Sequence, residues 1–361
     1  MRRSDLDNIR WVTVLLVVAY HVVYIFNGVT QFGIIGPFHA HQLQDSLLYL
    51  LSPWFMSLMF VVSGISARLE LQKRSPMEFF RARTRRYLVP ATLGLLVFHW
   101  TTGFWNILVG GGLEHMSENV PGFVFYLILC LSGTGVLWYL QMLWLFSAVL
   151  ALLRRFESGR LHARLEQTGL PVLLALAVPF FLAGTIGNPP LVTVYRFGLY
   201  SFCFAAGYFV FCHDAVVERL SRYALPLAAA AAVLGVGYTV YFFGENYALD
   251  PCLTHPFTAL YGWAAILAVL ACMRRYANRT GPIARWFARR SFGLYVFPCM
   301  PLSAAAWLLT TKTILGPVPV YLLTALAAFG GGWLLWEIIH RIPVLRWCVL
   351  GIGGKENRHV S

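Results

Sequence analysis

Ten stretches of this chain are each apolar over about the 20 residues that an α-helix needs to cross the hydrocarbon core of a bilayer. They run from Trp11 to Phe26, Leu47 to Ala67, Tyr87 to Phe104, Gly135 to Leu153 and Leu170 to Gly187, and then from Phe197 to His213, Tyr223 to Phe243, Phe257 to Met273, Phe292 to Leu309 and Val318 to Ile339. In hydrocarbon each segment has to satisfy its own backbone polar groups, which single segments do as helices. The sequence therefore predicts an all-α, polytopic integral membrane protein with about ten transmembrane helices. Composition agrees: only 12% of the 361 residues are charged, against about 25% in a soluble domain. That excludes a water-soluble globule, a disordered chain and a disulfide-stapled secreted module. The seven cysteines form no C-x-x-C pair. Cys130, Cys203, Cys212, Cys272, Cys299 and Cys348 lie in or beside apolar runs and read as small apolar residues, and Cys252 is expected in a wet loop.

A net charge of +13 suggests nucleic acid in a soluble protein, but here it reports topology, because cytoplasmic loops of membrane proteins gather Lys and Arg. With the N-terminus inside and the spans alternating, all of the 28 Lys and Arg residues fall inside except Arg196 and Lys312. Both termini are then cytoplasmic. Residues 1–345 form the membrane domain and residues 346–361 a cytoplasmic tail. The apolar segment Pro121 to Gly133 is short for a span, and counting it as one would put Arg154, Arg155, Arg160 and Arg164 outside. It is expected to be an interfacial or re-entrant helix on the outer face. The first span leads into a second with no A-x-A-like site between them, so no cleavable signal is expected. Neither an internal repeat nor a soluble catalytic appendage is evident, which confines any chemistry to the helical bundle.

Ionisable residues inside spans are costly and point to function. His21 lies in the first span and Arg10 near its inner end, 11 residues apart. Three turns of helix put them on nearly the same face, about 16 Å apart along the axis. That suits a ligand with an anionic end at the inner surface and a reactive end deeper. The structural alternative is an interfacial Arg and a buried His bonded to a neighbouring carbonyl. Arg83 and Arg86, three apart at the start of the third helix, are expected to share a face, and two guanidinium forks suit a phosphate. Orientation by basic loops is the alternative. Arg196 reads as an outer interfacial anchor or a ligand contact. His99, His115 and His255 read as interfacial or loop histidines. The sequence lacks an H-E-x-x-H, a Cys–His cluster with metal spacing, a Walker A loop and a G-x-S-x-G elbow, so no metal is expected. F-G-G-G-W from Phe329 lies inside a span and reads as close helix packing.

The segment LDNIRWVTVLLVVAYHVV, ending at Val23, resembles the opening of acyltransferase family 3, marked by Arg/Lys-x10-His in the first span. FVVSGISARL resembles the family's F-x-x-S-G-x segment. RTRRYLVP resembles its Arg-x-x-Arg pair with a following Pro, with Arg83, Arg86 and Pro90 in register. GVLWYLQMLWLF resembles the start of its fourth span, at Leu137, Trp138 and Tyr139. FCFAAGYFVF and SFGLYVFP match more loosely. The likeness covers essentially the whole chain, and its second and third spans most resemble the branch containing glucan biosynthesis protein C, which succinylates periplasmic glucans. Many relatives carry His at the end of S-F-x-hydrophobic-Tyr-x-x-His in the ninth span, where this chain has Pro298. No hydrolase-like domain follows the spans, so transfer by one protein is expected rather than relay to a second domain.

The resemblance implies a bacterial inner-membrane O-acyltransferase. It would move an acetyl or succinyl group from cytoplasmic acyl-CoA to a hydroxyl of an envelope polysaccharide or glycoside outside. Expected partners are acyl-CoA, that acceptor and membrane lipid, with no nucleic acid. His21 is the expected catalytic residue, as general base or as acyl-carrying nucleophile. Arg10, Arg83 and Arg86 are expected to hold CoA, and Ser63, Trp138, Tyr139, Arg196 and Tyr295 to line the substrate site. The alternative class is a secondary transporter or flippase for an anionic solute or lipid, against which stands the lack of paired broken helices in the sequence.

Overall fold

The computed structural model describes residues 3–29, 42–112, 120–157, 159–188 and 194–353, with the side chain of residue 155 left out, and every regular element among these residues is helical. His115 lies outside the described residues. The helices are α1 (Ser4–Tyr24), α2 (Leu43–Leu71), α3 (Pro76–Val109), α4 (Gly122–Ser132), α5 (Gly135–Leu153), α6 (Gly159–Leu165), α7 (Leu170–Ile186), α8 (Phe197–Phe211), α9 (Asp214–Ser221), α10 (Ala224–Phe242), α11 (Pro256–Tyr276), α12 (Pro282–Val296), α13 (Cys299–Lys312), α14 (Pro317–Arg341) and α15 (Pro343–Leu350). Among the described residues seven are long and apolar enough to cross a membrane. Counting each of three bent pairs, α6–α7, α8–α9 and α12–α13, as one span brings the number to 10. The protein is an all-α polytopic membrane protein, with spans where the apolar runs predict them.

The bends are what hydropathy does not foresee. They measure 103° between α6 and α7, 95° between α8 and α9 and 60° between α12 and α13. The last falls at Pro298, which cannot continue a helix from the preceding turn. The break between α6 and α7 is marked by Gly169 and by Pro171 in the first turn of α7, whereas the break between α8 and α9, at Cys212 and His213, carries neither glycine nor proline. Wide π-helical turns interrupt α3 at Thr84–Leu88 and Leu95–His99, α8 at Gly207–Phe211 and α14 at Ala327–Gly331. The segment expected to be interfacial or re-entrant is the 11-residue helix α4, about 16 Å long and too short to span.

The chain folds into two compact units. The first comprises Met1–Thr13, Ser46–Arg81 and Leu145–Ala288, and the second Val14–Asp45, Ala82–Trp144 and Arg289–Ser361. In the first unit α2 is the central helix, with Leu58, Phe60, Val61, Val62, Ile65 and Ala67 all fully buried. It crosses α8 backbone to backbone. A Cβ on Gly64 would stand 2.0 Å from the carbonyl oxygen of Phe204, and one on Gly207 2.0 Å from that of Val61. Small residues permit this approach between membrane helices. Beside the crossing, Phe60 stacks on Tyr200 at 4.5 Å between centroids. Buried Asn8 donates from Nδ2 to the carbonyls of Ala277 (2.6 Å) and Arg279 (2.9 Å), satisfying carbonyls left open past the end of α11. Cys252, expected in a wet loop, is buried instead, and its carbonyl accepts from Thr258 Oγ1 at 2.6 Å.

In the second unit Val18 and Val22 of α1, with Ile25 and Phe26 in the turn after it, pack with Leu302 and Ala306 of α13 and Val320 and Ala328 of α14. Close approach recurs between α3 and α4, where a Cβ on Gly103 would stand 1.8 Å from the Leu129 oxygen and one on Gly133 2.0 Å from the His99 oxygen. Two of the three glycines after Phe329 pack closely: Gly331 and Gly332 abut Pro301 and Pro298, at 2.7 and 2.8 Å from an added Cβ, while Gly330 has nothing within 4 Å. Residues 346–350, read from the sequence as the start of a tail, are helical within α15, which lies against Gly94 of α3.

Candidate active site

His21 sits one turn from the end of α1 and is half-buried. Its Nδ1 lies 2.7 Å from the carbonyl oxygen of Val17. A carbonyl only accepts, so Nδ1 is the donor and carries the ring proton in the neutral imidazole. The lone pair is then on Nε2, which makes no hydrogen bond to any described residue. The rings of Tyr20 and Tyr24 flank the imidazole edge-on at 5.4 and 6.2 Å. A purely structural histidine would also bond a carbonyl. What matters chemically is that this bond leaves the second nitrogen basic and available.

Arg10 lies on the same helix, in the first unit. Its Nη1 is 3.1 Å from Asp7 Oδ1 and its Nη2 bonds Ser66 Oγ, while the Ser66 hydroxyl donates to the Val62 carbonyl at 2.6 Å. Asp7 and Ser66 thus fix the guanidinium, and neither was marked by the sequence reading. Ser63, nearly one turn before Ser66 on α2, is buried. Arg196 precedes α8 and donates to the Leu253 carbonyl at 3.3 Å. It lines a shallow cleft of the first unit with Pro53, Phe180, Gly184, Leu199 and Thr258. His255, read as an interfacial or loop histidine, accepts from the Phe257 amide at 3.1 Å and caps α11.

The second unit holds the remaining expected residues. Arg83 and Arg86 do not share a face. Arg83 immediately precedes the wide turn Thr84–Leu88 and Arg86 lies within it, and its i→i+5 bonding changes the angular step assumed for an α-helix. Arg83 is buried, with Nη1 2.5 Å from the Tyr87 hydroxyl and its guanidinium 5.2 Å over that ring. Arg86 is exposed. Tyr139 and Tyr295 do meet, edge to face at 5.5 Å, and the Tyr295 hydroxyl donates to the Val136 carbonyl at 2.7 Å. Trp138 is half-buried at its ring's 6.3 Å distance from Tyr139.

His99 corrects the sequence reading. It is not a loop histidine but is helical and buried in the second unit, at the end of the π-helical turn Leu95–His99. Its Nδ1 is 3.5 Å from Thr102 Oγ1, its ring lies parallel to Phe297 at 6.4 Å, and its buried Nε2 has no hydrogen-bond partner among the described residues. Phe297 immediately precedes Pro298, the position where many relatives have histidine. The proximity to an apolar run hid His99, because burial of a lone His is not visible in hydropathy.

The model of the acyltransferase domain that defines acyltransferase family 3 matches residues 3–337. The chain belongs to that family and is a membrane acyltransferase. Comparison with curated proteins and with solved structures finds no match.

Proposed function

We propose that this acyltransferase moves a short acyl group, acetyl or succinyl, from acyl-CoA to a hydroxyl of an envelope glycan or glycoside, with His21 Nε2 as general base. The observation that supports this reading is the His21 Nδ1–Val17 carbonyl bond, which fixes the tautomer a base requires. Nε2 takes the acceptor's hydroxyl proton as its oxygen attacks the thioester carbonyl. The C–S bond then breaks, and the thiolate recovers that proton from the imidazolium, leaving an ester and free CoA thiol. In this reading exposed Arg86 meets the donor's phosphates. Buried Arg83 and the Asp7-bound Arg10 act as positioning residues rather than open phosphate forks. Arg196 in its cleft and the Tyr139–Tyr295 pair remain the proposed acceptor contacts, with Ser63 and Trp138 as lining. His99 Nε2 is a further candidate, as an imidazole in place of the one that Pro298 removes.

The test is release of free thiol from acetyl-CoA and succinyl-CoA by the purified protein in detergent, with and without envelope glycan. Acceptor-dependent thiol release that vanishes in His21→Ala supports the reading. Wild-type release in that variant overturns the role of His21. Glycan mass unchanged after incubation with both donors overturns the substrates. Because no gradient exists in detergent, carriage across a membrane cannot produce the signal.

A further inference from the structure

Two of the unforeseen bends in the first unit bring together three residues far apart in the chain. Cys212 and His213 form the break between α8 and α9, where His213 adopts an extended backbone (φ −81°, ψ 118°) that lets adjacent side chains serve one point. His162 belongs to α6, just before the sharp bend into α7. One ring nitrogen from each histidine and the Cys212 sulfur all lie within 4.8 Å of one another. His162 is buried, while Cys212 and His213 are half-buried.

The supporting shell is arranged as for a metal ligand. His162 Nε2 bonds Glu157 Oε1. The carboxylate accepts a hydrogen bond from the N–H at that nitrogen, so the proton stays on Nε2 and Nδ1 faces the cluster with its lone pair. Nδ1 stands 3.4 Å from His213 Nε2. Two nitrogens held at about 2.0–2.1 Å by one tetrahedral zinc ion are themselves about 3.4 Å apart. Glu157 is itself fixed by Arg68 at 2.7 Å, by the Tyr208 hydroxyl at 2.8 Å and by Arg154. A carboxylate behind a ligating imidazole fixes its tautomer and raises its basicity.

We propose that His162 Nδ1, His213 Nε2 and the Cys212 thiolate bind one divalent ion of the zinc class, clipping the break between α8 and α9 to α6. Two imidazoles and one thiolate select a borderline-soft ion over magnesium or calcium. The fourth tetrahedral position takes water. On binding, the Cys212 thiol proton leaves to solvent and the Cys212–metal bond forms, with no change of oxidation state. His162 lies 50 and 51 positions before Cys212 and His213, which is why spacing along the chain gave no metal signature.

The experiment uses the full chain, purified in detergent through a tag without histidine, and does not depend on acyl transfer. After equilibration with zinc and removal of the excess, elemental analysis is expected to find about one zinc per chain. Replacement by Co²⁺ is expected to give the ligand-field bands of a tetrahedral ion and a near-ultraviolet thiolate-to-cobalt band. Cys212→Ser should abolish the latter, His162→Ala and His213→Ala should lose the metal, and Glu157→Gln should weaken binding about 10- to 100-fold. A wild-type protein with no thiolate-to-cobalt band overturns the proposal without recourse to any variant. So does zinc content unchanged in the Cys212→Ser, His162→Ala, His213→Ala triple variant.

Discussion

The imidazole Nδ1 of His21 lies 2.7 Å from the carbonyl oxygen of Val17, one turn earlier on the same helix. Since the acceptor belongs to the backbone, no side-chain substitution removes it, and the tautomer is built into the helix itself. His21→Ala is expected to lower acceptor-dependent thiol release by about 10²–10⁴-fold, the usual contribution of a general base. The variant should still elute as a monodisperse peak, because the half-buried ring makes no bond that holds another element. Thiol-release kinetics together with size-exclusion chromatography check both halves of this expectation.

Arg83, just before the π-helical turn, and Arg86, within it, should separate in their effects. Exposed Arg86→Ala is expected to raise KM for acyl-CoA about tenfold, the size of one charge-assisted hydrogen bond, with little change in kcat. Tyr87→Phe removes the hydroxyl that accepts from buried Arg83. It should destabilise the protein by about 1.5–3 kcal/mol, seen as a lower unfolding temperature in detergent. An unchanged KM in Arg86→Ala would remove this residue from the donor site.

Asn8→Ala leaves the carbonyls of Ala277 and Arg279 without the amide that reaches both. The expected loss is about 1–3 kcal/mol. Asn8→Asp should be no better, because a carboxylate offers no donor to a carbonyl. A shift in unfolding temperature common to both variants is the readout, and a fully stable Asn8→Asp would contradict the cap.

At Gly64, alanine would drive a methyl group to 2.0 Å from a backbone oxygen of α8. Overpacking of this kind costs about 1–3 kcal/mol or more, and here no side chain is free to rotate aside. Gly64→Ala is expected to yield little monodisperse protein. Gly122→Ala, where nothing stands within 4 Å, should behave as wild type.

The spans were legible because a bilayer imposes a length and a polarity that each segment must meet alone. The packing role of the glycines at Gly331 and Gly332 was legible for a related reason, since small residues inside a span have few other uses. The bend at Pro298 is visible in a residue that cannot continue a helix. The break at Cys212–His213 is not, because neither residue forbids helix and only the tertiary environment ends it. Arg83 and Arg86 show how a local irregularity defeats spacing: the residue count between them is right, but the π-helical turn begins directly after Arg83 and carries Arg86. His21 was found by its cost inside a span, whereas His99, equally costly, was discounted because it lies near a span's end.

The crossing of α2 and α8 has a mechanical consequence. Where two main chains touch through glycines, there is no pliant layer of side chains to shear, so these helices are coupled as a stiff joint. Any breathing of the first unit during turnover must be taken up at its elbows, between Leu165 and Leu170 and between Phe211 and Asp214, and ligands that rigidify those elbows would slow it.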